Sequence, residues 1–161
     1  RDVLGSRGLG DVYKRQKSVN ITEVVTSLLK EYIQNSKRAS EQLDIRLPHG
    51  NIWILAQEKI LIRILCNLID NALKYSTGDI MFYMWGESEY CHIQISNPSD
   101  YISDEELKSI FDLFYTKDEA RIKSSGIGLY ATRKLVIQIS GDIQVNYEAG
   151  IFTVSIKLPL I

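Results

Sequence analysis

Ile21, Val24, Val25, Leu28, Leu29, Tyr32 and Ile33 recur at intervals of three and four. That period predicts an amphipathic helix over 21–37. Two short apolar runs follow, at 44–47 and 51–56, with Pro48-His49-Gly50 between them. They read as a hairpin or as two adjacent strands. The helical period returns from 57 to 75 and stops at Ser76-Thr77-Gly78. Alternating runs at 79–85 and 90–96 predict two strands around a turn at 86–89. Asn97-Pro98-Ser99-Asp100 breaks the pattern. Ser103 followed by Asp104-Glu105-Glu106 is an N-cap with acid in the first turn, so a short helix is expected over 104–114. A polar stretch, 116–125, leads to a helix that opens near Gly126 and ends at Ser140-Gly141. Strands over 142–147 and 151–158 close the chain, turning at Glu148-Ala149-Gly150. This order predicts an α+β fold, a two-layer α/β sandwich with one mixed sheet and helices on one face.

Residues 1–16, RDVLGSRGLGDVYKRQ, carry neither period. They read as a flexible linker or as translated adapter sequence, and are set apart from the domain expected over 17–161.

Composition narrows the function. The chain has 161 residues, with 19 basic against 20 acidic side chains. That near-neutral balance argues against a partner held by bulk charge, nucleic acid above all. The 2 cysteines, Cys66 and Cys91, are too few for a disulfide framework and fit a reducing compartment. No run approaches the ~20 apolar residues of a membrane span. No signal peptide is visible, so a cytoplasmic domain is expected, with membrane spans upstream in the full-length protein left open. His49 and His92 make no His-Glu-x-x-His spacing, and the cysteines no Cys-x-x-Cys, which weighs against zinc. The absence of Gly-x-Ser-x-Gly disfavours a serine hydrolase.

Two places carry candidate chemistry. Asn67, Asn71 and Lys74 stand at i, i+4 and i+7 on the edge of the apolar stripe of the 57–75 helix. Amide oxygens are hard ligands that need no deprotonation, and with a lysine beside them they suit Mg²⁺ holding substrate phosphates. A solvated helix edge would show the same spacing. Ser124-Ser125-Gly126-Ile127-Gly128-Leu129 precedes a helix, where glycines let phosphate oxygens approach backbone N–H groups. A plain structural turn explains that pair of glycines as well. The pattern has no apolar strand before it and no Gly-Lys-[Ser/Thr], so it is neither a Rossmann loop nor a P-loop.

Together the two places resemble a family. Asn67-Leu68-Ile69-Asp70-Asn71-Ala72-Leu73-Lys74-Tyr75-Ser76 is similar to the N-box of sensor histidine kinases. Ile110-Phe111-Asp112-Leu113-Phe114-Tyr115 resembles their F-box, and Gly126-Ile127-Gly128-Leu129 their second glycine box. Gly141-Asp142-Ile143 and Gly150-Ile151-Phe152-Thr153, ending in Lys157-Leu158-Pro159, resemble the closing strands. The resemblance covers about 20–161. It implies a Bergerat ATP-binding fold, of the kind shared with DNA gyrase and mismatch-repair ATPases.

Carried over by position, the resemblance implies ATP and Mg²⁺ as cofactors. Asn71 would ligate the metal with Asn67 assisting, and Lys74 would meet phosphate; Asn67 and Lys74 are the candidate catalytic residues. Tyr75, Asn97, Ile102, Arg121, Gly126, Ile127, Gly128, Leu129 and Thr153 would complete the nucleotide site, with 116–125 as a mobile lid. The implied partners are a phosphoacceptor and dimerisation domain of the same kinase and a response regulator, with the full-length protein a homodimer.

The sequence also departs from the family. Its first glycine box is Asp-x-Gly-x-Gly, whose aspartate accepts the adenine amino group. Here Asn97-Pro98-Ser99-Asp100-Tyr101 stands there, so an uncharged acceptor replaces the aspartate. Thr116 stands where the lid arginine is common. Neither histidine has the His-Glu-[Leu/Ile]-[Lys/Arg]-x-Pro context of a phosphoacceptor.

The first functional reading is a kinase catalytic domain that transfers the γ-phosphoryl of Mg-ATP to a histidine on another domain. The second is a degenerate nucleotide-binding or docking module without kinase activity, supported by the altered glycine box. A gyrase-like hydrolase is disfavoured, because Asn67 stands where such enzymes place a water-activating glutamate. A serine kinase of the anti-sigma type shares the fold, and the motifs alone leave it open.

Overall fold

The computed structural model describes residues 16–113 and 128–161. The chain enters through strand β1 (Lys17–Asn20), which is too short to show a period. Asn20 then caps helix α1 (Ile21–Asn35), its side chain accepting from the Glu23 N–H at 3.2 Å. The helix stops sooner than its period suggests. Ser36 closes α1 and at once caps a short helix, α2 (Lys37–Gln42), accepting from the Ala39 N–H at 3.1 Å. Strands β2 (Leu43–Arg46) and β3 (Trp53–Ala56) follow, then the long helix α3 (Glu58–Tyr75). Strands β4 (Ile80–Glu87) and β5 (Tyr90–Pro98) lead to helix α4 (Asp104–Ser109). Helix α5 (Tyr130–Gln138) and strands β6 (Asp142–Glu148) and β7 (Ile151–Pro159) complete the chain.

The main sheet has the order β2-β4-β5-β7-β6. β2 runs parallel to β4 and every other pair is antiparallel, so the sheet is mixed. The runs at 44–47 and 51–56 form two strands, but not a hairpin and not side by side. β2 joins the main sheet at β4, while β3 pairs with β1 in a separate two-stranded ribbon. The non-local pairing sets Leu43 and Ile45 beside Ile80 and Phe82 on the covered face of the sheet. A local hairpin would strip that edge of β4 and waste both apolar side chains.

One face of the sheet carries the core. Ile80, Phe82 and Met84 on β4, Cys91, Ile93 and Ile95 on β5, and Phe152, Val154, Ile156 and Leu158 on β7 are all buried. Against them α3 sets Leu61, Ile64, Leu65, Leu68, Ile69 and Ala72, and α1 sets Ile21, Val25 and Leu29. The residues between them on the strands, among them Met81 and Tyr83, face out. These are the two layers that the order of elements implies. Among the described residues, no helix is long and apolar enough to cross a membrane.

The helix ends show local chemistry at work. Ser103 and Glu106 form a reciprocal capping box at α4, each contact 3.1 Å. The C-terminus of α5 is a Schellman motif. The Gly141 N–H donates to Val136 O and the Ser140 N–H to Ile137 O, both at 2.9 Å, with Ser140 in the left-handed region at φ 65°. Gly141 serves a different need, close approach. A Cβ there would lie 2.6 Å from Leu158 Cδ2 and 2.9 Å from the Lys157 carbonyl oxygen.

Two predictions follow from this packing. Gly141→Ala should lower stability by about 1–3 kcal/mol, the usual cost of overpacking, in urea titration. An unchanged midpoint would mean that α5 is free to shift away from β7. The second concerns Cys91, whose thiol is pushed up to about 12 by burial. The folded state therefore favours the neutral thiol. Its contribution is fully present below the unfolded value of about 8.5 and is lost as pH rises towards the folded value. Between the two values stability should fall by up to about 1.4 kcal/mol per pH unit. Cys91→Ala should flatten the slope between about pH 8.5 and pH 10, before tyrosines ionise; equal slopes in the two proteins would refute the assignment.

Candidate nucleotide site

Burying the apolar stripe of α3 on the sheet sets the rotation of the helix. Its i, i+4, i+7 edge then faces the start of α5. Asn67, Asn71 and Lys74 line a recess of about 330 Å³ together with Gly128, Leu129 and Thr132. The start of α5 is held there by its neighbour, because the Leu129 N–H donates to Ile110 O at 2.7 Å. The Arg133 guanidinium also lies 5.1 Å from the centre of the Phe111 ring. The F-box residues Ile110 and Phe111 thus clamp the start of α5 against the end of α4. The first turn of a helix presents N–H groups with no intrahelical partner and a positive dipole end. Lys74 lines the same recess, and its charge and that helix end both favour an anion there, against the Asp70 carboxylate at the rim.

Asn67 is oriented by a residue the sequence reading did not single out. Its Nδ2 donates to Thr132 Oγ1 at 3.4 Å, and Thr132 is only 3% exposed. The contact leaves Asn67 Oδ1 as the acceptor on that amide. Asn67 and Asn71 therefore offer neutral oxygen donors beside a lysine, a set that fits a hard divalent cation keeping most of its waters. Asp70 reaches the same rim, and its Oδ1 accepts from the Tyr32 hydroxyl at 2.7 Å.

A second feature begins on the other side of Asn71. Asn71, Tyr75 and Asn97 border a narrow slot walled by Leu68, Ala72, Ile95, Phe152 and Val154. Its volume is about 10 Å³, far less than a purine ring, so a base enters only as the walls part. Lys74 Nζ lies 5.3 Å from the centre of the Tyr75 ring, which places the cation at the boundary between slot and recess. Asn97 is the polar group of the slot and is 3% exposed. Its Nδ2 donates to Pro98 O at 3.0 Å, and among the described residues Oδ1 has no donor. A buried acceptor without a partner costs about 1–3 kcal/mol. That vacancy in its hydrogen bonding fits the exocyclic amino group of adenine.

Other positions singled out in the sequence fall elsewhere. Ile102 is buried in the core and lines neither the recess nor the slot. Thr153 lies on the opposite face of the sheet, where its Oγ1 sits 2.9 Å from Ser96 Oγ across the β5–β7 pairing. Its neighbour Phe152 faces the slot instead. The alternation along β7 allows only one of these two neighbours on the covered face, and it is Phe152. In the altered glycine box, the Ser99 N–H donates to Gly150 O at 3.1 Å. Tyr101 is 73% exposed, with its ring edge-on to Tyr147 at 6.2 Å. The lid expectation over 116–125, Arg121, Gly126 and Ile127 lie outside the described residues.

Comparison with known proteins agrees with this fold. Residues 56–161 match the model of the histidine kinase-, DNA gyrase B- and HSP90-like ATPase family. Sensor protein RprX of Bacteroides fragilis (strain YCH46) is 27% identical over 155 residues, which are 91% of this chain and 30% of that protein. Sensor histidine kinase YcbM of Bacillus subtilis (strain 168) is 27% identical over 147 residues, 86% of this chain and 47% of that protein. The chain thus spans less than half the length of these curated relatives. Among solved structures, the mycobacterial sensor histidine kinase MprB superposes with a TM-score of 0.74 at 21% identity, covering 90% of this chain and 97% of that one. The histidine kinase domain of the E. coli osmosensor EnvZ does so with a TM-score of 0.70 at 21% identity, covering 90% and 89%. These superpositions show a shared fold. The chain belongs to the histidine kinase-, DNA gyrase B- and HSP90-like ATPase family, and is an ATP-binding catalytic domain of the sensor histidine kinase type.

Proposed function

We propose that this domain holds Mg-ATP with its base in the Asn97 slot and its phosphates in the Asn67–Asn71–Lys74 recess. It then presents the γ-phosphoryl to a histidine on a phosphoacceptor and dimerisation domain of the same kinase. The observation that carries this reading is the convergence of the α3 edge with the start of α5, next to a buried acceptor that lacks a donor among the described residues. Asn71, with Asn67, would hold the metal. Bound Mg²⁺ would supply charge neutralisation at the phosphate oxygens. Lys74 and the first turn of α5 orient the phosphate chain by charge and N–H donors. Asn97 Oδ1 orients the base. Catalysis in such a site is positioning and electrostatics rather than proton transfer. Asn67 carries no carboxylate, so nothing at that position activates water.

The histidines support an acceptor on another domain. His49 is exposed between β2 and β3. His92 stacks on Trp85 at 4.9 Å on the open face of the sheet, opposite the helices. Neither lines the recess. The domain would run over 17–161, because β1 pairs with β3 and α1 shares the core with α3. The full-length kinase would be a homodimer that passes its phosphoryl group to a response regulator, and use of ATP would place this domain in the cytoplasm. The departures at Asn97, Ser99 and Tyr101, with the slot closed, favour one second reading: a docking module that binds nucleotide weakly.

Asn71→Ala should abolish the Mg²⁺-dependent part of ATP affinity while leaving the melting temperature nearly unchanged, since the side chain sits at the edge of the apolar stripe. Titration calorimetry with and without Mg²⁺ measures it, and an unaltered Mg-ATP affinity would remove Asn71 from the metal site. If the parent domain binds no nucleotide, the docking-module reading replaces the kinase reading. Asn97→Asp should sharpen the preference for ATP over GTP by about 1–2 kcal/mol, the scale of a hydrogen bond to a charged acceptor. Without nucleotide the same variant should be less stable at neutral pH, because a carboxylate would sit among Ala72, Ile95, Phe152 and Val154. Equal discrimination by both forms in a competition titration would show that residue 97 does not meet the base.

A further inference from the structure

The helices α1 and α3 lie side by side but do not close on each other, and a groove runs between them. At its ribbon end it opens to about 430 Å³, lined by Val24 and Leu28 of α1, Glu58 and Ile62 of α3, and Trp53. At its other end it holds about 470 Å³, lined by Tyr32, Cys66, Asp70 and Leu73. Leu28 and Glu31 line both volumes, so the two are consecutive stretches of one groove. On α3, Glu58, Ile62, Cys66 and Asp70 follow at i+4, and on α1 so do Val24, Leu28 and Tyr32. These are inclined rows that wind slowly around each helix. The α3 wall from Glu58 to Leu73 is about 22 Å long at 1.5 Å per residue, the length of a four-turn helix.

The floor is apolar and the rim is acidic. Val24, Leu28, Ile62 and Cys66 are only partly buried, and Trp53 at the ribbon end is 48% exposed. Glu23, Glu31 and Glu58 stand along the ribbon end and form no ion pair among the described residues. Among the described residues, no lysine, arginine or histidine lines either stretch. At the far end the Tyr32 hydroxyl bridges to Asp70, tying α1 to α3. Burial first, and then the Asp70 carboxylate, keep that hydroxyl protonated beyond the usual tyrosine range.

We propose that this groove docks a basic amphipathic helix of a partner protein, with its apolar stripe on Val24, Leu28 and Ile62 and its lysines or arginines against Glu23, Glu31 and Glu58. Helices are held in such grooves by apolar anchors at i, i+3/i+4 and i+7. The uncompensated rim supplies the charge preference. A second copy of this chain fits poorly. Its cationic helix α5 has nine residues, too few for the groove, and Arg133 and Lys134 there already lie over the Phe111 and Tyr130 rings. The proposal does not rest on the nucleotide reading, and its test contains no nucleotide.

The test uses a synthetic 18-residue helix with leucines at i, i+4, i+7 and i+11 flanked by lysines, and a twin with every lysine replaced by glutamate. Calorimetry should show that the lysine peptide binds the domain, more weakly as salt rises. Cys66 lines the groove and Cys91 is buried, so iodoacetamide labelling of the folded domain reports on Cys66, and labelling of Cys91 would report unfolding. Saturating lysine peptide should slow Cys66 alkylation at least tenfold. The double variant Glu31→Lys and Glu58→Lys, both at exposed positions, should keep its melting temperature and lose at least tenfold in affinity. Equal binding of the glutamate twin, unchanged affinity of the double variant, or unprotected Cys66 would each overturn the proposal. So would self-association of the chain that the double variant abolishes, which would assign the groove to a second copy.

Discussion

The seating of α3 on the sheet is the contact on which the rest of this domain depends. Leu61, Ile64, Leu65, Leu68, Ile69 and Ala72 are buried against Phe82, Ile93, Ile95 and Val154. Each large side chain so buried contributes about 1.5–3 kcal/mol, and together they leave the helix no freedom to roll. Because the helix cannot roll, Asn67, Asn71 and Lys74 have one possible direction. The chemistry of the recess is therefore set by apolar packing on the neighbouring face of the same helix. This also explains why a polar row with no packing role can stay in place: its backbone is held by residues one position away.

The polar groups of the site are few, and most are held by one partner. Thr132 orients the Asn67 amide, Ile110 O holds the start of α5, and Pro98 O takes one hydrogen of the Asn97 amide. The remaining acceptor of Asn97, buried with no donor among the described residues, is a local deficit that the fold tolerates because the core around it is large. Such deficits concentrate where a ligand can supply the missing hydrogen bond. In a charged variant of the slot the deficit would be a buried anion, so asparagine lowers the cost of the empty state while keeping the acceptor.

The two remaining flanks of α3 have opposite characters. One meets α5 and forms the recess, where Lys74 and a helix N-terminus favour anions. The other faces α1 across the groove, where glutamates favour cations. A helix of eighteen residues thus carries an apolar edge, the Asn67–Asn71–Lys74 edge and an acidic edge, the last two meeting at Asp70.

The long helices, the capping box at Ser103, the alternating strands and the N-box edge were all legible in the sequence. Each is a local pattern whose period or cap chemistry survives whatever surrounds it. The family resemblance added the order of the motifs, and so the meeting of Asn71 with Gly128. What the sequence could not decide was partnership. A period shows which side of an element is buried, never against what. So β1 went unseen, the runs at 44–47 and 51–56 went to different sheets, and Ser36 ended the first helix and capped a short one, α2, that no period announced. Thr153 and Phe152 stand side by side in a motif, and only the pairing of β7 with β5 decides that Phe152 faces the slot. Thr132 reaches Asn67 across 65 positions of chain, a contact that no local pattern announces. The sequence by itself determined the elements and the edge that carries the chemistry; the tertiary structure decided which edges meet, because pairing is won by the total apolar surface covered and not by nearness along the chain.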